Sequence, residues 1–204
     1  MDPDERDEIE RSIRDALAQA DHARAATALL RGYGPEILGY LMAATGREQE
    51  AADVFSDFCE HLWRGLPGFR GEASARTWSY RVAYHALARA GRGGARRRKR
   101  FVAMSEVPEI EAIVAQVRTQ TAAHLRTTVK QEVLELRAQL EEQDRTLLVL
   151  RIDRRLPWEE IARIVDEDEP TPESVKRHAA ALRKRFERVK TRLRELAKGL
   201  VTDS

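Results

Sequence analysis

A single cysteine, Cys59, stands among 204 residues. No disulfide can form within the chain, and so thiol-poor a composition fits a reducing compartment such as the cytoplasm. No apolar run approaches the roughly 18 residues that a membrane span requires. The acidic start (Asp2, Asp4, Glu5, Asp7, Glu8, Glu10) is the opposite of the basic and then apolar opening of a secretory leader, so none is expected. Aromatic residues make up only 6% and period-two alternation is scarce, which argues against a β-architecture. Also missing are the groupings on which hydrolases depend, namely paired carboxylates beside histidines on one face or a phosphate-cradling glycine loop. His61 near Cys59 offers two ligand types but does not complete a zinc site. The expectation is an all-α protein that is not itself an enzyme and needs no metal or cofactor.

What the chain has in abundance is charge, 34% of its residues, with a net of only +2. The small net value conceals segregation, because the acidic start is offset by two basic stretches further on. The later stretch follows a series of helix signals. Pro157 suits a first helical position, and Glu159 and Glu160 then sit against the positive end of the helix dipole. Trp158, Ile161, Ala162 and Val165 mark one face of this short helix. After an acidic turn from Asp166 to Glu169, Thr171 before Pro172 caps a long second helix. Its seam runs through Val175, Ala179, Leu182, Phe186, Val189, Leu193 and Leu196. Its other surfaces carry cations from Lys176 to Arg194, interrupted only by Glu187, as a helix that meets a polyanion requires. The layout is that of a DNA-reading helix-turn-helix, although a coiled coil or bundle helix with a solvated face shares the pattern.

Upstream, Ile9, Ile13, Ala16 and Leu17 predict an amphipathic first helix with an acidic outer face. That face is a candidate shield for basic DNA-binding surface. A second helix from Asp21 carries Leu29 and Leu30 and is expected to stop at Gly32 and Gly34. Pro35 then opens a third, closed by Gly46. The next helix, Glu48 to Leu66, has a wide apolar face of Ala51, Val54, Phe55, Phe58, Leu62 and Trp63, with Asp53, Asp57 and Glu60 projecting from another side. Pro67 and Gly68 break the chain, the loop RGEAS follows Phe69, and Ser74 can cap a further helix carrying Arg76, Trp78, Tyr80, Arg81, Tyr84 and His85. Aromatics interleaved with arginines suit single-stranded nucleic acid, where each stacked base contributes about 1–3 kcal/mol. Trp78 and Tyr80 read equally well as core, whereas the arginines are expected on the exposed face. Glycines then lead into the basic run Arg96 to Arg100, which marks a boundary. Ile110, Ile113, Val114 and Val117 suggest a helical turn within a tether able to lie on a surface. Leu125, Val129, Val133, Leu136 and Leu140 start a second unit, and Leu147, Leu148 and Leu150 supply the helix supporting the helix-turn-helix. The expected organisation is an acidic helix (1–20), a first helical domain (21–95), a linker (96–124) and a second helical domain (125–204).

Two DNA-suited modules joined by a tether resemble a bacterial RNA polymerase sigma factor of the sigma-70 family, in its extracytoplasmic-function (ECF) group. EAADVFSDFCEHLW looks like the helix with which that family grips the polymerase clamp, FRGEASARTWSYRVA looks like its minus-ten segment, and QDRTLLVLRIDRRLPWEEIARIV followed by ESVKR looks like its minus-thirty-five reader. The resemblance implies that Asp53, Asp57, Glu60 and Trp63 bind core polymerase. It implies that Arg70, Gly71, Glu72 and Ser74 belong to the loop capturing a flipped base, with Arg76, Trp78, Arg81 and His85 along the opened strand. In the second module, Ser174, Lys176 and Arg177 would reach base edges and Arg183 and Lys184 phosphates. Implied partners are core polymerase through its clamp and flap, promoter DNA and an anti-sigma factor, without membrane insertion. His85 stands where asparagine is common in the family, Arg89 where an acidic residue is common, and His178 and Ala181 where arginines are frequent. VDEDEPTPES is longer and more acidic than the usual tight turn. The alternative is a stand-alone helix-turn-helix regulator, which has no use for the acidic ridge of the first module.

Overall fold

The computed structural model describes residues 2–93, 108–124, 135–166 and 171–202, and among them there is no strand. The helices are α1 (Pro3–Ala18), α2 (His22–Thr45), α3 (Glu48–Gly65), α4 (Ala75–Gly93), α5 (Pro108–His124), α6 (Glu142–Leu148), α7 (Trp158–Val165) and α8 (Pro172–Thr202). A 3-10 turn, Leu66–Gly68, ends α3, and a wide π turn, Val149–Asp153, continues α6. The basic run 96–100, the residues Leu125, Val129 and Val133, and the turn positions 167–170 lie outside the described residues.

α2 is the central post, against which α1, α3, α4 and α5 all pack. Asp21 caps its start, its Oδ1 accepting from the Arg24 amide at 2.9 Å. Gly46 ends it in the left-handed region (φ 71°), its amide donating to the Met42 carbonyl. The break expected at Gly32, Gly34 and Pro35 does not occur, and α2 runs straight through Pro35. An interior proline costs about 3 kcal/mol, but each large apolar side chain buried returns about 1.5–3 kcal/mol. α2 buries Leu29, Leu30, Tyr33, Ile37, Leu38, Tyr40 and Leu41, so packing prevails. The glycines serve close approach instead of termination. A methyl group at Gly32 would meet Ile9 of α1 at 2.8 Å, and one at Gly34 would meet Val117 of α5 at 3.2 Å.

The tether is a full helix over Pro108–His124, with Ile110, Ile113, Val114 and Val117 buried against α2. Arg118 of α5 donates to the Ala52 carbonyl of α3 at 3.2 Å and bonds the Ser56 hydroxyl. The second half joins the same core. Leu140, Leu147, Val149, Leu150, Leu156 and Ile161 are buried in one apolar cluster with the side chains of α2 and α4, so the two modules are packed against one another.

Candidate functional site

The acidic ridge stands on α3 as the spacing predicts. Ala51, Val54, Phe55, Phe58, Cys59 and Leu62 are buried, and the opposite face carries Asp53, exposed, with Asp57 and Glu60 half-buried. Gln49 donates to Asp53 at 3.2 Å, Arg64 pairs with Glu60 at 2.6 Å, and Trp63 is half-buried. Burial pushes the Asp57 carboxyl above its usual range, with His61 opposing and Glu60 reinforcing the shift. The Arg64–Glu60 pair is an exposed i,i+4 contact worth about 0.3–0.5 kcal/mol. A basic partner can therefore displace Arg64 with little loss.

The second surface is built on the loop 70–74 and α4. Ser74 caps α4, its hydroxyl accepting from the Thr77 amide at 3.0 Å. A second cap comes from α1: Glu10 Oε2 accepts from the Ala75 amide at 2.9 Å, Oε1 from the Arg76 amide at 3.0 Å, and the Tyr33 hydroxyl donates to Oε1 at 2.8 Å. Arg70, Gly71, Glu72 and Ser74 are exposed, and Gly71 has φ 73°, a conformation that strains any residue with a Cβ. Between this loop and α1 lies an open cavity of about 590 Å³, lined in part by Arg11, Arg14, Phe69, Glu72 and Ser74. Trp78 is half-buried and stacks on Phe69 with centroids 4.9 Å apart. Arg81 and His85 are half-buried on the same side of α4, one and two turns further on.

Arg76 departs from its expected position. It is 8% exposed and bonds Glu36 of α2 through two nitrogens, Nε at 3.1 Å and Nη2, with the Tyr80 hydroxyl donating to the same carboxylate at 3.0 Å. Burial by itself raises the Glu36 carboxyl, but the hydrogen bond and charge of Arg76, with Tyr80 and Arg154 adding to them, hold it below its ordinary 4.5. Breaking one partner of such a buried pair costs about 3–5 kcal/mol, whereas a charged hydrogen bond to a strand returns about 1.5–3 kcal/mol. Arg76 therefore stays inward. Neither Glu10 nor Glu36 was singled out by sequence. Glu10 is one of many acidic residues at the start and nothing marks it, while Glu36 lies at helical spacing between Tyr33 and Tyr40, and a carboxylate on an apolar stripe signals a buried cation.

The third surface begins at α8. The Ser174 amide donates to the Thr171 hydroxyl at 3.1 Å and the Thr171 amide to the Ser174 hydroxyl at 3.0 Å, a reciprocal cap that engages Ser174. Asp166, 7% exposed, pairs with His178 at 3.1 Å and fixes the close of α7 to the first turns of α8. The seam packs as its spacing predicts, with Val175, Ala179, Phe186 and Val189 buried. Lys176, Arg177, Arg183 and Lys184 are exposed. Arg183 pairs with Glu159 at 3.1 Å, while Arg185 is held by Asp144 at 2.5 Å and Gln143 at 2.7 Å.

The stretch carrying ridge, loop and α4 coincides with the model of Sigma-70 region 2, which matches residues 29–99. The RNA polymerase sigma factor YlaC of Bacillus subtilis is 33% identical over 138 residues, 67% of this chain and 77% of that protein. The chain belongs to the sigma-70 family of RNA polymerase sigma factors, in its ECF group. The RNA polymerase sigma-H factor of Pseudomonas aeruginosa is 30% identical over 154 residues, 72% of this sigma factor and 78% of that one. As a sigma factor the chain acts in transcription initiation. Among the described residues of this sigma factor, no helix is long and apolar enough to cross a membrane.

Proposed function

We propose that this sigma factor docks on core polymerase through the α3 ridge and directs initiation at promoters bearing two elements. The loop 70–74 and α4 take the melted minus-ten strand, and the start of α8 takes the minus-thirty-five duplex. The observation that carries the reading is the ridge itself: Asp53 stands exposed on a helix whose opposite face is locked in the core. A stand-alone regulator has no use for it. Arg70, Gly71, Glu72 and Ser74 receive a flipped base, whose extrusion costs a few kcal/mol that pocket contacts must offset. Trp78, Arg81 and His85 flank the strand, while Arg76 positions α4 from within. Lys176 and Arg177 reach base edges, Arg183 and Lys184 meet phosphates, and Ser174 holds the recognition helix at its cap. The polymerase flap and an anti-sigma factor complete the set of partners, and the protein works in the cytoplasm as a specificity subunit of an enzyme, without catalysis of its own.

The test is transcription by core polymerase plus this protein on a promoter pool, with Asp53→Arg as comparison. Specific start sites are expected with the natural chain. Asp53→Arg should weaken core association at least about tenfold while leaving binding to a minus-ten single strand unchanged. Equal loss of both activities overturns the assignment of the ridge, and absence of any directed start overturns the function.

A further inference from the structure

The contact between the two modules is specific in its details. Thr77 of α4, 4% exposed, donates to Glu160 of α7 at 3.3 Å. The Arg154 guanidinium lies over Gly39 of α2, where a methyl group would meet it at 2.7 Å, and the Glu142 carboxylate lies over Gly91 of α4, where a methyl group would meet it at 2.9 Å. Two glycines thus admit two charged side chains from the other module, and Arg154 adds its charge to the Glu36–Arg76 pair. The hydroxyls of Tyr40 and Thr146 are both sealed at this contact, yet neither makes a hydrogen bond of normal geometry among the described residues. Unpaired buried hydroxyls are a cost that opening relieves.

Minus-ten and minus-thirty-five elements lie about 25 base pairs apart, about 85 Å of duplex at about 3.4 Å per pair. A packed chain of this length has a radius of gyration of about 17 Å. With α7 lying directly on α4, the two reading surfaces cannot reach both elements at once.

We infer that the α4–α7 contact is an autoinhibitory lock, in which the minus-thirty-five module closes over the flank of the minus-ten helix in the free protein and core polymerase pulls the two apart. The inference rests on the sigma reading above. The lock is asymmetric. Thr77 is shut away, whereas Lys176 and Arg177 remain exposed, so closure penalises strand binding and leaves duplex binding largely intact. Apparent affinity for the strand is reduced by the fraction of molecules that are open.

Two exposed positions, Asp15→Cys in α1 and Thr191→Cys in α8, carry a donor and an acceptor dye, because Cys59 is 0% exposed and does not label. Energy transfer is expected to report one short distance in the free chain and a distance longer by about 30 Å or more with core polymerase, as the element spacing demands. A second measurement uses the doubly substituted Arg154→Ala, Glu160→Ala chain, with a single-stranded DNA pool randomised across the minus-ten positions. It should bind this pool about five- to tenfold more tightly than the natural chain does, with duplex affinity unchanged. A long or broad distance in the free chain, a short distance that persists in the polymerase complex, or unchanged strand affinity in the double variant each overturns the lock. Failure to associate with core polymerase at all overturns the sigma reading and the release step, while the free-chain distance still decides whether the modules are closed.

Discussion

At the scale of single residues, the Glu36–Arg76 pair makes stability depend on pH in a definite direction. Glu36 titrates lower in the folded chain than in the unfolded one. Its contribution is therefore complete above its ordinary 4.5 and is lost as pH falls through the depressed folded value. Glu36→Gln is expected to lower stability near neutral pH by about 3 kcal/mol and to flatten the acid limb of the stability curve, measured by urea unfolding at a series of pH values. An acid limb identical to that of the natural chain would show that Glu36 contributes nothing to it. The pair also shows where residue-level reading stops. Arg76 looks like its neighbour Arg81 in the sequence, and only the three-dimensional position of Glu36 turns one inward. Asp53 and Lys176 were legible because exposure on a helix follows from spacing, which is a local property.

At the scale of elements, local signals succeeded where the chain pays for its own ends and failed where packing decides. Asp21, Gly46, Ser74 and Thr171 all terminate helices as their side chains or backbone freedom dictate. The glycine and proline signals at residues 32–35 failed, because α2 is enclosed by three other helices and burial outweighs propensity. Pro35 is nonetheless exposed and still denies the helix one hydrogen bond. Pro35→Ala should raise stability by about 1–3 kcal/mol, read as a higher denaturation midpoint at unchanged slope. A lower midpoint would mean that the proline relieves a strain in α2. The α5 helix was half-legible: four apolar residues at helical spacing were visible, but the surface they cover was not, since nothing in residues 108–124 specifies α2 as partner.

For the molecule as a whole, the segregation of charge is the property that sequence conveyed best, because it needs no fold. Lys176→Glu should weaken binding to a minus-thirty-five duplex and reduce the salt slope of that binding by about one unit or more, measured by titration at several salt concentrations. An unchanged slope would remove Lys176 from the interface. The joining of the modules into one core was not legible. Each has an apolar stripe that accounts for its own helices, and the contact between α4 and α7 depends on Gly39 and Gly91, whose small size matters only once the opposing side chain is in place. Cys59 carries one last consequence. Its thiol is completely enclosed and burial pushes its ionisation far up, and because the thiolate is the species that peroxides and electrophiles attack, the folded protein is chemically silent toward them. Oxidants can reach this regulator only through some other molecule that senses them first.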